Sequence, residues 1–183
     1  MNTKNNQRYI ETENRIIKVT QELISEKGVR ETTVSEICRR AGINRKSFYL
    51  HFPDVDAVLN KLETLKGKEL ASKLSFESKD DIKGLLVQIF DLFAAEKDFY
   101  KPFVTQRCSG TLLEPVIEKF WTSREESMLP KCRGMSDLDR TYHENFYKSG
   151  VCSVLSLWME RDFEDSPEDL ASVIEREYKS SFC

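Results

Sequence analysis

Hydrophobic positions recur every three or four residues along most of the chain. Ile16, Val19 and Leu23 mark the apolar face of a helix over about 8–27, which Gly28 ends as a C-terminal cap. Throughout the second half of the chain every clear period is again helical, and no segment shows the alternation expected of a half-buried strand. The pattern therefore predicts an all-α protein.

Two short helices joined by a tight turn follow the first helix. The capping box Thr33–Glu36 starts one of them, and Gly42 interrupts it after about two turns. Asn44 is a favourable N-cap for the next helix, over about 45–51, and Pro53 closes the pair. Two short helices in this order are typical of a helix-turn-helix, whose second helix enters the major groove of DNA.

The remaining helices predict a second module. The polar stretch Lys66–Lys79 is the expected junction between an N-terminal domain over 1–65 and a C-terminal domain over 66–183. The longest helix candidate runs over about 137–161, and a closing helix covers about 167–179. The second half of the long helix is apolar nearly all round, so it needs burial partners on two sides.

Charge changes the interpretation of the third helix. The net charge is −3, but residues 1–60 carry 10 Lys+Arg against 8 Asp+Glu. At about 100° per residue, Phe48 and Phe52 share one face of the third helix, whereas Arg45, Lys46 and Tyr49 share another. Two cations and a phenol can bind phosphates and base edges. The alternative is a basic face that is merely solvated.

Other classes of chemistry receive no support from the sequence. The five cysteines are widely spaced and the two histidines show no metal-type spacing, so we expect free thiols, no metal and no cofactor. There is no H-E-x-x-H motif, no Gly-rich phosphate loop and no recognisable nucleophile–base spacing, so an all-α enzyme is not expected. No apolar stretch is long enough for a membrane span, and Met1–Arg8 is polar, so we expect a cytoplasmic protein.

The segment from Thr33 to Phe52 resembles the TetR/AcrR family of bacterial transcriptional regulators. The resemblance rests on Thr33, on Ala41-Gly42 and on the ending Phe48-Tyr49-x-His51-Phe52, and it covers about 10–65. A softer similarity over 140–175 is to family members that resemble the dihydroxyacetone-kinase regulator group. It is carried by Phe146-Tyr147-x-x-Gly150, by Trp158 and by Ser166-Pro167-Glu168-Asp169-Leu170.

The resemblance implies about nine helices, with an N-terminal three-helix module (motif 33–52) and a C-terminal helical bundle used for dimerisation. It implies a repressor that binds a palindromic operator in double-stranded DNA as a homodimer. The residues that would contact bases or phosphates are Thr33, Ser35, Asn44, Arg45, Lys46, Ser47, Tyr49 and His51. Many members carry a Lys where this chain has Val55, which leaves open a dimeric ligand- or protein-binding co-regulator that no longer reads DNA.

Two further sites are expected in the C-terminal module. The candidate dimer interface is formed by Val151, Val154, Leu155, Trp158, Leu170 and Ile174. For Trp158 and its neighbours the alternative is an ordinary intrachain core. Family members often hold a small-molecule effector among the middle helices, and some respond to a partner protein. The candidate effector pocket is formed by Phe90, Phe93, Phe103, Phe120, Trp121 and Phe146, which could instead simply fill the core.

Overall fold

Every regular element of the described residues is a helix, which confirms the predicted all-α fold. The computed structural model describes residues 3–75, 81–107, 111–119 and 136–182. The elements are α1 (Thr3–Lys27), α2 (Val34–Ala41), α3 (Arg45–His51), α4 (Val55–Lys73), α5 (Ile82–Ala95), α6 (Lys97–Arg107), a 3₁₀ turn (Thr111–Leu113) that leads into α7 (114–119), α8 (Asp137–Glu160) and α9 (Pro167–Phe182). None of the described helices combines the length and apolar character needed to cross a bilayer.

The chain divides into two units. The first contains residues 1–65 together with 98–107, and the second contains 66–97 together with 108–183. The two predicted domains were contiguous in sequence, whereas most of α6 groups with the first unit. The assignment of functions to the two domains stays a prediction.

Three helices of the first unit share one apolar core. Ile16 and Leu23 of α1, Ile37 of α2 and Phe48 of α3 are all fully buried. α1 contacts both α2 and α3, and these two helices contact each other. α2 and α3 are too short to be stable in isolation, so this shared burial is what holds them in place.

The end of α6 fixes the turn between α1 and α2. The side-chain oxygen of Gln106 accepts hydrogen bonds from the backbone amides of Val29 and Arg30, at 3.1 and 3.2 Å. At Gly28, whose φ of +85° favours glycine, an added Cβ would lie 3.1 Å from the Gln106 amide nitrogen. These contacts explain why α6 belongs with the first unit.

The predicted polar junction over 66–79 begins inside a helix, because α4 continues to Lys73, and the chain divides between its two units at Leu65 and Lys66. Lys66 is buried, and its ammonium lies 2.8 Å from a carboxylate oxygen of Glu96 and 3.1 Å from one of Glu69. Lys73 also pairs with Glu69, and this hydrogen bond lowers the pKa of the Glu69 carboxyl. Ion pairing therefore lets a polar stretch form a helix where composition alone suggested a linker.

Trp158 organises the second unit. Its ring packs edge-on against Phe90 of α5 and against Phe163 in the turn after α8, with centroids 5.3 and 4.7 Å apart. Its indole N–H donates to the carbonyl of Asp165 at 2.9 Å. Trp158 and Leu155 are each only 2% exposed, which corrects their predicted place in the dimer interface. They have almost no surface left for a partner because they fill the intrachain core.

The indole hydrogen bond and the ring packing predict different losses of stability. We expect Trp158→Phe to lower the free energy of unfolding by about 1–3 kcal/mol, because Asp165 loses its donor and the ring shrinks. We expect Trp158→Ala to cost about 3–5 kcal/mol, because it leaves a cavity beside Phe90. Urea unfolding at one fixed protein concentration measures both losses. Equal, small losses for the two variants would contradict a core position for Trp158.

Candidate nucleic-acid interface

α2 begins and ends where its capping residues require. The hydroxyl of Thr33 accepts a hydrogen bond from the amide of Glu36 at 3.3 Å. Gly42 follows the helix with a φ of +65°, in the left-handed conformation that glycine adopts without strain. Ile37 and Ala41 are buried on the inner face. The two caps fix the length of α2 and the angle at which the chain enters α3.

α3 is oriented by one cap and one buried ring. The side-chain oxygen of Asn44 accepts a hydrogen bond from the amide of Ser47 at 2.7 Å. Phe48 is fully buried and Phe52, which follows the helix, is 7% exposed. Asn44 and Ser47 were predicted to contact DNA. In this structure Asn44 caps α3, and the side chain of Ser47 is half-buried.

The opposite face of α3 is open to solvent. Arg45 and Lys46 are exposed, and Tyr49 and Leu50 are 55% and 68% exposed. The guanidinium of Arg45 donates a hydrogen bond to the hydroxyl of Ser35, which lies near the start of α2. The structure therefore brings two predicted DNA-contacting residues, Ser35 and Arg45, together across the helix-turn-helix.

Ion pairs set the charge of this surface. The guanidinium of Arg39 lies 2.7 Å from Glu36, and Arg40 forms a two-point pair with Glu26 of α1. These hydrogen bonds lower the pKa of both carboxyls, so Glu36 and Glu26 remain charged and neutralise their arginines.

Arg45 and Lys46 differ from the paired arginines. Neither forms an ion pair within the part of the chain that the structure describes. The uncompensated positive charge of the motif is thus concentrated on the exposed face of α3, where a polyanion can reach it.

His51 lies at the end of α3 against a residue that the sequence did not single out. Its half-buried imidazole faces the ring of Tyr9 in α1, with centroids 4.0 Å apart and planes inclined by 34°. Tyr9 also donates a hydrogen bond to the carbonyl of Leu50 at 3.4 Å. No local signal indicates this contact, because it joins two helices through the tertiary fold.

α8 also has an exposed apolar surface that the predicted dimer interface did not include. Leu138, Tyr142 and Phe146 recur every four residues on one face of the helix and are 66%, 67% and 71% exposed. Leu157 continues the same face and is 57% exposed. The four remaining residues of the predicted interface are half-buried: Val151, Val154, Leu170 and Ile174. The sequence pattern drew attention to residues 151–159, whereas the open surface begins thirteen residues earlier, at Leu138.

The aromatic residues predicted to form an effector pocket do not share one environment. Phe90 and Phe93 are fully buried in the second unit, and Phe103 belongs to the core of the first unit. Phe146 lies on the exposed face of α8. Phe120 and Trp121 lie outside the described residues. An effector pocket therefore stays a prediction.

Two family models match the chain. Residues 16–62 match the model of bacterial regulatory proteins of the tetR family, and residues 80–177, more than half of the chain, match a transcriptional regulator C-terminal region. The first match contains all of α2 and α3. The helix-turn-helix and the C-terminal unit are thus both similar to parts of transcriptional regulators.

Individual relatives agree with these matches. An uncharacterised HTH-type transcriptional regulator of Bacillus subtilis, YerO, is 32% identical over 108 residues, which are 52% of this chain and 36% of that protein. The matched stretch thus spans about a third of the length of this curated relative.

Solved structures share the fold. A TetR transcriptional regulator from Streptococcus agalactiae superposes with a TM-score of 0.63 at 18% identity, covering 95% of this chain and 97% of that one. The dihydroxyacetone kinase operon activator DhaS superposes with a TM-score of 0.59 at 19% identity, covering 94% and 97%. At these identities the two structures show a shared fold with this chain.

The cap at Asn44 predicts a specific effect on α3. We expect Asn44→Ala to lower the free energy of unfolding by about 0.5–2 kcal/mol, because the amide of Ser47 loses its acceptor. Hydrogen exchange in α3 should accelerate in step, which mass spectrometry can measure. Asn44→Asp is the control, since it keeps a side-chain acceptor and should change little. Equal losses in both variants would contradict a capping role.

Proposed function

Because this chain belongs to the TetR family of DNA-binding transcriptional regulators, we propose that it binds a palindromic DNA operator as a homodimer and represses transcription there. The observation that carries the proposal is the exposed face of α3, where Arg45 and Lys46 are free of acidic partners in the described part of the chain. Its opposite face is anchored by the buried ring of Phe48. This arrangement suits a helix that docks in a major groove.

The side chains of α3 favour distinct roles in DNA binding. The planar guanidinium of Arg45 can donate two hydrogen bonds to a guanine edge. The ammonium of Lys46 suits a phosphate as a point charge. The Tyr49 phenol and the His51 imidazole flank this region and can bind the DNA backbone, and Thr33 and Ser35 lie at the start of α2, where a phosphate would approach.

Val55 limits the number of phosphate contacts. It is the first residue of α4 and is half-buried, at the position where many family members carry a lysine. One fewer cation per protomer should weaken DNA binding and reduce its salt dependence. The departure reduces affinity and leaves the exposed face of α3 unchanged.

Dimerisation supplies the specificity that one helix lacks. α3 has seven residues and can contact only a few base pairs, so two copies related by a two-fold axis are needed to select a site. The exposed stripe Leu138, Tyr142, Phe146 and Leu157 offers an apolar surface for this pairing. Val173 of α9 is a further exposed apolar residue of the second unit, at 43% exposure.

A binding function is favoured over a catalytic one, and DNA is favoured as the partner over a protein alone. The family matches are to regulators. The rival co-regulator that no longer reads DNA would have no need for two uncompensated cations on an exposed α3. An effector bound in the second unit is compatible with the proposal, and the proposal does not depend on which effector it is.

Selection from random duplexes should enrich a palindrome, and two variants should affect binding differently. We expect Arg45→Ala to cost about 1–3 kcal/mol and to relax the preference at one base pair of each half-site. We expect Lys46→Ala to weaken all duplexes alike and to lower the slope of log affinity against log salt by about 0.9 per protomer. Fluorescence anisotropy across a salt series measures both effects.

Lys61→Ala is the matched control for these variants. It removes the same charge from the first unit, but Lys61 is on α4 and pairs with Glu13 at 3.4 Å. Its affinity and salt slope should stay close to those of the parent protein. A selection that enriches no DNA sequence would favour the co-regulator that does not read DNA. Equal losses of DNA affinity in all three variants would mean that only the net charge of the protein matters, and would contradict a specific role of α3.

The exposed stripe on α8 predicts a disruptive substitution. Phe146→Glu should shift the protein from dimer towards monomer in sedimentation velocity, because it buries a charge without a partner in an apolar interface. Leu65→Glu, which adds the same charge at an exposed apolar residue outside α8, should leave the dimer intact. Dimers that persist with Phe146→Glu would place the interface elsewhere.

A further inference from the structure

Tyr9 closes over the C-terminal end of α3. Its ring packs against His51 in a tilted arrangement, and its hydroxyl donates to the carbonyl of Leu50. This is one of the last carbonyls of α3, which no further helical turn can satisfy. At 3.4 Å this hydrogen bond is long, so the ring contact at 4.0 Å is the stronger of the two interactions. α1 thereby holds the end of α3 from a second direction, in addition to the core around Phe48.

The contact leaves the two nitrogens of His51 in different surroundings. Nδ1 is buried and has no hydrogen-bond partner in the described structure. The residue as a whole is only half-buried, and Nε2 is not among the buried side-chain atoms that lack a partner. A neutral imidazole carries one N–H donor and one acceptor. Buried N–H groups without partners are rarer than unsatisfied acceptors, so the proton is better placed on Nε2.

We propose that Tyr9 is a positioning residue for DNA binding, which holds His51 with Nδ1 shielded and the Nε2–H donor directed outwards. The proposal rests on the proposed function, since the acceptor for this N–H is a phosphate oxygen of DNA. A donor held in place before binding loses less conformational freedom on docking than a freely rotating imidazole. Tyr9 itself need not contact DNA for this role.

The position of Tyr9 separates this role from the family pattern. Tyr9 lies seven residues before the matched segment 16–62, in the N-terminal turns of α1. His51 lies inside that segment. In this proposal Tyr9, which lies outside the matched segment, fixes the orientation and tautomer of His51, which lies within it.

The tautomer of His51 can be read without DNA. Two-bond ¹H–¹⁵N correlation spectra of the DNA-free protein, at a pH where the imidazole is neutral, distinguish the two tautomers. The chain has only two histidines, so His143→Gln assigns the signals. We expect an Nε2–H pattern for His51 in the parent protein and in Tyr9→Phe, which keeps the ring. We expect an averaged pattern in Tyr9→Ala, and an Nδ1–H pattern in the parent protein would overturn the proposal.

DNA affinity provides the second readout. We expect Tyr9→Ala to weaken binding to the selected duplex about threefold to tenfold and Tyr9→Phe to stay within about twofold. In a His51→Ala background the further change Tyr9→Ala should have no effect, because Tyr9 acts through His51. Ile10→Ala is the matched control, since Ile10 is the neighbouring residue on α1 and is 50% exposed. A penalty for Tyr9→Ala that persists without His51 would overturn the positioning role.

The tautomer spectra and the DNA affinities together distinguish failure of the proposed function from failure of the positioning role. If the parent protein binds no duplex, the proposed function fails and the role of Tyr9 in it fails with it, whatever the spectra show. If the parent protein binds DNA but Tyr9→Ala leaves the His51 tautomer unchanged, only the positioning role is overturned.

Discussion

The burial of Phe48 determines which side of α3 faces outwards. α3 has seven residues, and its two turns offer one face to α1 and α2 and one face to solvent. With Phe48 fully enclosed, Arg45, Lys46 and Tyr49 are left on the open side. Burying a phenylalanine contributes about 1.5–3 kcal/mol, which exceeds what any single exposed polar contact of α3 could add. The apolar core therefore sets the geometry of the polar surface.

Pairing of charges then decides where a polyanion can bind. Arg39 and Arg40 add two cations to the motif, but Glu36 and Glu26 neutralise them, so these charges are not available to a ligand. The pKa of each of these carboxyls is lowered by its arginine, so the two pairs remain intact at neutral pH and are lost only as the pH falls through the lowered values. What remains uncompensated lies on α3. A protein with a net charge of −3 can thus present a local cationic surface.

The sequence predicts those features of the fold that depend on neighbouring residues. The caps at Thr33 and Asn44 place α2 and α3 to within a residue, because capping is a local interaction. The extension of α4 was missed because Lys66 is stabilised by Glu96, thirty residues later along the chain. Tyr9 was missed as a partner of His51 because the two residues also lie far apart along the chain. Trp158 was placed in a dimer interface because composition does not distinguish burial inside one chain from burial between two chains.

Amide chemical-shift mapping of the ¹⁵N-labelled protein, titrated with the duplex recovered by selection, tests whether α3 is the element that reads DNA. If the core fixes α3 and its open face docks in the groove, the largest amide shifts should fall on residues 45–51. Amides of α3 that stay in place under saturating duplex, while residues elsewhere shift, would contradict this interpretation.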